Sequence, residues 1–193
     1  MTDPTQESEQ EPATILVVDD EQGLADLYAL YLEEDYTIRI AYGGQEALRI
    51  IDDDVDAVLL DRRMPGISGD EVLATLRERG YDQPVAMLTA VDPGEEIIGL
   101  DIDEYFVKPI YEEQLREAAE ALLARRRYDE EFREYFAAIS KKAALDASMS
   151  EKEHVPSDAD VILEQEVTEA KDAADSALME MMAKGAFAGF HNF

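Results

Sequence analysis

The chain has 193 residues, 46% of them hydrophobic, which is room for one standard domain with a packed core plus a smaller appendage. It holds no cysteine, which excludes disulfides, thiolate metal sites and cysteine nucleophiles. Seventeen basic residues, six of them lysine, stand against 46 acidic ones, and the net charge of −29 repels nucleic-acid phosphates and anionic membranes.

Residues 1–13 are acidic and polar, with neither the basic nor the apolar region of a signal peptide. They read as a disordered lead on a cytoplasmic protein. No apolar run reaches the about 20 residues that span a bilayer, so no membrane insertion is expected. Residues 14–127 then alternate between two periods. TILVVD (14–19) is a continuous apolar run ending in acids, and Leu24, Leu27, Leu30 and Tyr31 follow at helical spacing. A short alternating run covers 36–40, and Ala47, Leu48 and Ile51 are spaced as a helix within 43–51. AVLL (57–60) ends at Asp61, and 69–79 is helical with Val72, Leu73 and Leu76 inward. PVAML (84–88) precedes Thr89, a weak helix covers 93–100, and the strand 104–107 ends at Lys108-Pro109. Residues 111–127 form an amphipathic helix with Leu115, Ala118, Ala119, Leu122 and Leu123 on one face. Five apolar runs, each followed by a helical pattern, predict a doubly wound α/β fold with a parallel sheet covered on both faces.

From Tyr128 strand signals vanish, leaving helical stretches over 128–153 and 158–184 that a proline-bearing link should fold into an antiparallel hairpin. Ser157 or Asp158 can cap the second stretch and Gly185 can end it. The second carries a heptad-like seam of Leu163, Val167, Ala170, Ala174, Ala177 and Met181; the first offers Phe132, Tyr135, Phe136, Ile139, Ala143 and Met149. This alanine-rich seam is thin, so a partner helix is expected, either a second copy in a homodimer or another protein. Residues 185–193 are a glycine-spaced aromatic tail.

Ligands of open parallel sheets bind beyond the carboxyl ends of the strands. There the pattern places Asp19, Asp20 and Glu21, then Asp61, Thr89 and Lys108. Clustered carboxylates repel one another unless a cation lies among them, and an all-oxygen site suits Mg²⁺. With that charge neutralised, a carboxylate oxygen can attack phosphorus while a lysine and a hydroxyl steady the phosphoryl oxygens. Singly each piece is an ordinary turn or loop. Four in order, each at a strand end, are not.

The set ILVVDD, LLDRRMPGISG, MLTA and EYFVKP resembles the receiver domain of two-component response regulators, over about 14–127. That resemblance implies a flavodoxin-like sheet of order 2-1-3-4-5. It implies that Asp61 accepts the phosphoryl group from a sensor histidine kinase. Asp20 and Asp61 would hold Mg²⁺ directly, Asp19 through water, and Arg63 through its backbone carbonyl. Thr89 and Lys108 would stabilise the phosphoryl group, with Thr89 and Tyr105 as the switch pair, although Phe106 competes with Tyr105 for that role. Pro109 is the candidate for a cis peptide. Such a protein is no enzyme beyond phosphorylating itself from phosphodonors and dephosphorylating itself. Two departures stand out: only residues 90–107 separate Thr89 from Lys108, and Arg62-Arg63 follow the acceptor, Arg63 being placed to screen or steer attacking water.

YDEEFREYF and SKKAALDASMSEKE resemble the HalX domain found after receivers in halophilic archaea, giving a helical hairpin over 128–184. Protein–protein output through these helices is the favoured function. The alternative is a DNA-binding transcriptional regulator, against which residues 128–193 carry six basic and fifteen acidic residues. Arg125-Arg126-Arg127, the one basic cluster, reads as a helix C-terminus. A stand-alone phosphohydrolase lacks a small-molecule pocket signal. A histidine phosphotransfer role lacks a histidine on a helix, since His154 lies in a linker and His191 in the tail.

The acids are spread along the chain, which favours adaptation to molar salt over an acidic interaction protein. The Debye length falls from about 10 Å at 0.1 M to about 3 Å at 1 M, screening the self-repulsion. The melting temperature, followed by circular dichroism, should therefore rise between 0.1 M and molar potassium chloride. An unchanged value would return the charge to a role in binding.

Overall fold

A computed structural model of the chain describes residues 11–90, 101–149 and 158–184, with backbone alone for 145–149 and 158–160. The helix expected over 93–100, the link 154–157 and the tail 185–193 lie outside the described residues. Among the described residues five strands, β1 (Thr14–Val18), β2 (Thr37–Ala41), β3 (Ala57–Asp61), β4 (Val85–Thr89) and β5 (Glu104–Val107), form one parallel sheet. Its order is β2-β1-β3-β4-β5, as the resemblance implies. The helices of the described residues are α1 (Gln22–Leu32), α2 (Gly44–Ile50), α3 (Gly69–Glu78), α4 (Glu112–Met149) and α5 (Asp158–Ala183).

All residues of β3 and β4 are buried, which is why their sequences are unbroken apolar runs. Successive side chains leave a strand on opposite faces. Leu16, Val18, Val58, Leu60 and Met87 pack beneath α2 and α3 with Val72, Leu73 and Leu76. Ile15, Val17, Leu59 and Leu88 pack beneath α1 and α4 with Tyr28, Leu32, Leu115 and Leu122. Tyr105 joins the first face and Phe106 the second. The edge strand β2 is half-exposed and alternates accordingly.

The sequence divides helical stretches at Tyr128, but the structure does not: α4 is one helix of 38 residues. Composition changes there without a glycine or proline to interrupt the hydrogen-bond ladder. Arg125–Arg127 are therefore not a helix C-terminus. They are spent on ion pairs instead: Arg125 with Asp103 at 2.6 Å, Arg126 with Asp56 and Glu130 at 3.2 Å each, and Arg127 with Glu180.

α5 runs antiparallel along α4. Lys142 meets Glu164 at one end, and Lys184 meets Glu120 at the other. The expected seam faces α4, with Ala174, Ala177 and Met181 buried. Met181 packs against Ala121 and Ala124, so the end of α5 sits on the same helix that covers the sheet. The partner face on α4 differs from the one expected. Ala138 is buried while Phe132, Phe136 and Ile139 are exposed. Small residues let two helix axes approach where bulky rings would hold them apart. The rings instead pack among themselves along α4, Phe132 lying 5.5 Å from Tyr128 and 4.9 Å from Phe136.

Met181→Ala should lower stability by about 2 kcal/mol, the low end for truncating a buried methionine. Hydrogen exchange should speed up in α5 and leave β1 and β3 protected; equal loss across both would show that α5 does not open separately.

Candidate functional site

The ladder continues one residue past several strands: Asp19 N–H donates to the Ala41 carbonyl (3.1 Å), Arg62 N–H to Leu88 (3.1 Å) and Lys108 N–H to Thr89 (2.6 Å). These bonds fix polar residues at the carboxyl edge of the sheet. Asp19 and Asp61 are 2% and 5% exposed, and Lys108 reaches across the end of β4 to both. Its Nζ donates to Asp19 Oδ2 at 2.6 Å and to Asp61 Oδ1 at 2.5 Å. The remaining oxygens accept from backbone: Asp19 Oδ1 from Glu21 N–H (2.9 Å), Asp61 Oδ2 from Arg63 N–H (2.8 Å). Asp20 is exposed, Arg63 is exposed, and Thr89 is fully buried at the end of β4. The Lys108–Pro109 peptide is cis.

Burial pushes the Asp61 carboxyl above its ordinary range, more than the hydrogen bond and charge of Lys108 draw it down; Asp19 adds to the rise. Burial pulls the Lys108 ammonium down, but hydrogen bonds to Asp19 and Asp61 outweigh it and hold the lysine above its usual value. Nearby Tyr28, on α1, has its phenol pushed up to about 12 by burial, with Lys108 lowering it and Asp19 and Asp61 raising it. The helical spacing of Leu24, Leu27, Leu30 and Tyr31 passes over Tyr28; α1 instead buries Ala25, Tyr28, Ala29 and Leu32 and leaves Leu27 and Leu30 exposed, and that packing brings Tyr28 beside this charge cluster.

The loop after Asp61 is held at both ends. Met64 is buried, Gly66 adopts a φ of +82°, and Gly69 N–H donates to the Arg62 carbonyl at 2.9 Å. A side chain at Gly69 would place its Cβ 2.3 Å from the Asp61 carbonyl oxygen. Ser68 then caps α3 in a reciprocal pair with Glu71, a Ser-x-x-Glu signal readable in the sequence. Arg62, at the start of this loop, donates to Asp70 and to the Tyr105 hydroxyl, a contact no linear spacing signals.

Among the described residues no three acidic or histidine side chains converge as a ready-made cage. A hard divalent ion does not require one: Mg²⁺ keeps several waters and takes one or two carboxylates plus phosphate oxygens. Two buried carboxylates, a third exposed beside them and nearby backbone oxygens are a donor set that fits it. No helix among the described residues is long and apolar enough to cross a membrane.

Residues 15–120 match the response regulator receiver domain, and residues 124–188 match the HalX domain. The chain belongs to the response regulators of two-component systems. A Haloferax volcanii protein described as a candidate transcriptional regulator is 50% identical over 69% of this chain and 23% of its own length, and this haloarchaeal relative agrees with the reading of the charge. Response regulator MprA of Mycolicibacterium vanbaalenii is 41% identical over 59% of this chain and 52% of its own. The chain thus spans about half or less of these relatives. The crystal structure of a CheY-like receiver domain protein from Methanospirillum hungatei superposes with a TM-score of 0.56 at 26% identity, covering 60% of this chain and 97% of that one. Receiver domains generally use Mg²⁺ and interact with sensor histidine kinases.

Because Asp61 keeps its proton to higher pH when folded than when unfolded, its contribution to stability is largest at acid pH. It is lost as pH rises through the folded pKa. Asp61→Asn cannot ionise. In EDTA, its stability relative to wild type should therefore grow from about pH 4 toward neutrality, measured by denaturant melts. A constant difference would contradict the raised carboxyl.

Proposed function

We propose that Asp61 is the phosphoacceptor of a phosphorelay switch fed by a sensor histidine kinase, with output through the α4–α5 helices. The carrying observation is the Lys108 ammonium shared by two buried carboxylates at adjacent strand ends. An Asp61 oxygen forms the bond to phosphorus while the donor's P–N bond breaks, its electron pair remaining on the imidazole nitrogen, which takes up a proton. Asp20 and Asp61 directly, Asp19 through water and the Arg63 carbonyl would hold Mg²⁺, which would neutralise the carboxylates and offset charge on the phosphoryl oxygens. Lys108, released from Asp61, turns its donors to those oxygens, and the Thr89 hydroxyl supplies another. Tyr105, packed beneath the site, serves with Thr89 as the switch pair.

Exposed Phe132, Phe136 and Ile139 on α4 support output by protein–protein contact, to another protein or to a second copy. The relative's description as a transcriptional regulator favours DNA binding as a second reading. Weighing against it are the acidic C-terminal region and the engagement of Arg125, Arg126 and Arg127 in ion pairs. The protein is read as cytoplasmic and as no enzyme beyond its own phosphorylation and dephosphorylation.

Acetyl phosphate should label wild type with Mg²⁺ and fail with EDTA; Asp61→Asn should abolish labelling, and Lys108→Ala should slow it at least tenfold while the chain stays folded. Borohydride trapping and mass spectrometry locate the acyl phosphate. Label on Asp19, Asp20 or a histidine would overturn the assignment.

A further inference from the structure

Arg62 directly follows the acceptor, yet its side chain is only 11% exposed. Its guanidinium forks between two elements. Nε donates to Asp70 Oδ1 at 3.1 Å and Nη2 to Asp70 Oδ2 at 3.2 Å, while Nη1 donates to the Tyr105 hydroxyl at 3.4 Å. Asp70 lies in the first turn of α3, beside Gly69, whose missing side chain lets the helix start against the Asp61 backbone. Tyr105 belongs to β5, 43 residues away, with its ring buried on the α2–α3 face. One planar group therefore joins the acceptor loop, the start of α3 and the β5 aromatic. A lysine could hold Asp70 but lacks the fork to reach both.

We propose that Arg62 is a positioning residue that couples the state of Asp61 to Tyr105, along the chain at one end and through its guanidinium at the other. The inference rests on Asp61 being the acceptor. Phosphorylation turns a singly negative carboxylate into a group with about two charges, one residue from a fixed cation. Of the two contacts described, that to Asp70 is charge-assisted and doubled, whereas that to Tyr105 is long and to a neutral hydroxyl. The Tyr105 contact is the one that yields. This makes a line of communication separate from the threonine at the end of β4.

The test is a double-mutant cycle on the full-length chain in molar potassium chloride with Mg²⁺, using Arg62→Lys, Tyr105→Phe and the pair. Binding of beryllofluoride is read from the ¹⁹F signal of the bound fluoride. Arg62→Lys should shift half-saturation about three- to tenfold in the wild-type background and leave it unmoved in Tyr105→Phe, the size of one ordinary hydrogen bond, as suits a long contact. In ¹³C-tyrosine-labelled protein, the Tyr105 Cζ resonance should move on Arg62→Lys even without beryllofluoride. Equal shifts in both backgrounds, no shift in either, or an unmoved Cζ resonance would each overturn the coupling. Wild type that binds no beryllofluoride at Asp61 would instead sink the acceptor assignment, and the coupling with it.

Discussion

Lys108 lies between Asp19 and Asp61 with its ammonium 2.6 and 2.5 Å from their oxygens, and the carboxyl edge of the sheet is organised around that arrangement. Two buried carboxylates at adjacent strand ends repel, and removing the cation between them leaves uncompensated charge at a cost of about 3–5 kcal/mol. The lysine reaches them because β5 ends two strands from β3 and its backbone stays tied to β4 at Thr89. Sheet order and the backbone bonds that extend the ladder past the strand ends thus serve one electrostatic arrangement. It is also poised: the raised Asp61 carboxyl marks a charge that the protein holds against burial, and such a group gains from a stronger positive neighbour.

Much of this was legible in the sequence. Strands buried on both faces have unbroken apolar runs, so β1, β3 and β4 stand out, and polar residues at their carboxyl ends are conspicuous against them. Asp19, Asp61, Thr89 and Lys108 are found this way because strand ends in a parallel sheet converge. What stayed hidden depends on side-chain direction across distance. The fork of Arg62 to Tyr105 joins positions 43 apart, and Tyr28 sits beside the charge cluster only because α1 crosses that face. The face of α4 that meets α5 is hidden from hydrophobic patterning for a related reason. Hydrophobicity points to Phe132 and Phe136, whereas close approach of two helices selects Ala124 and Ala138.

The acidic surface and the arginine cluster show how local composition misleads. Arg125, Arg126 and Arg127 are contiguous, but helical geometry sends each to an acid on a different part of the fold: Asp103 beside β5, Asp56 before β3, and Glu180 on α5. Ion pairs at or near the surface contribute little energy singly. Their effect is orientational, fixing how α4 lies on the sheet and how α5 lies on α4.

That fixed seating gives the unbroken helix a mechanical meaning. Its first four turns are part of the core, with Leu115, Ala119 and Leu122 packed against the sheet, and its remainder runs on beyond it. From Arg127 to Met149 is about 33 Å of helix at 1.5 Å per residue. A tilt of about 5° at the sheet would therefore carry the far end about 3 Å, roughly the separation of two hydrogen-bonded atoms. With no glycine or proline along it, a helix seated in this way has the geometry of a lever arm: small repacking beneath it would be amplified at the tip.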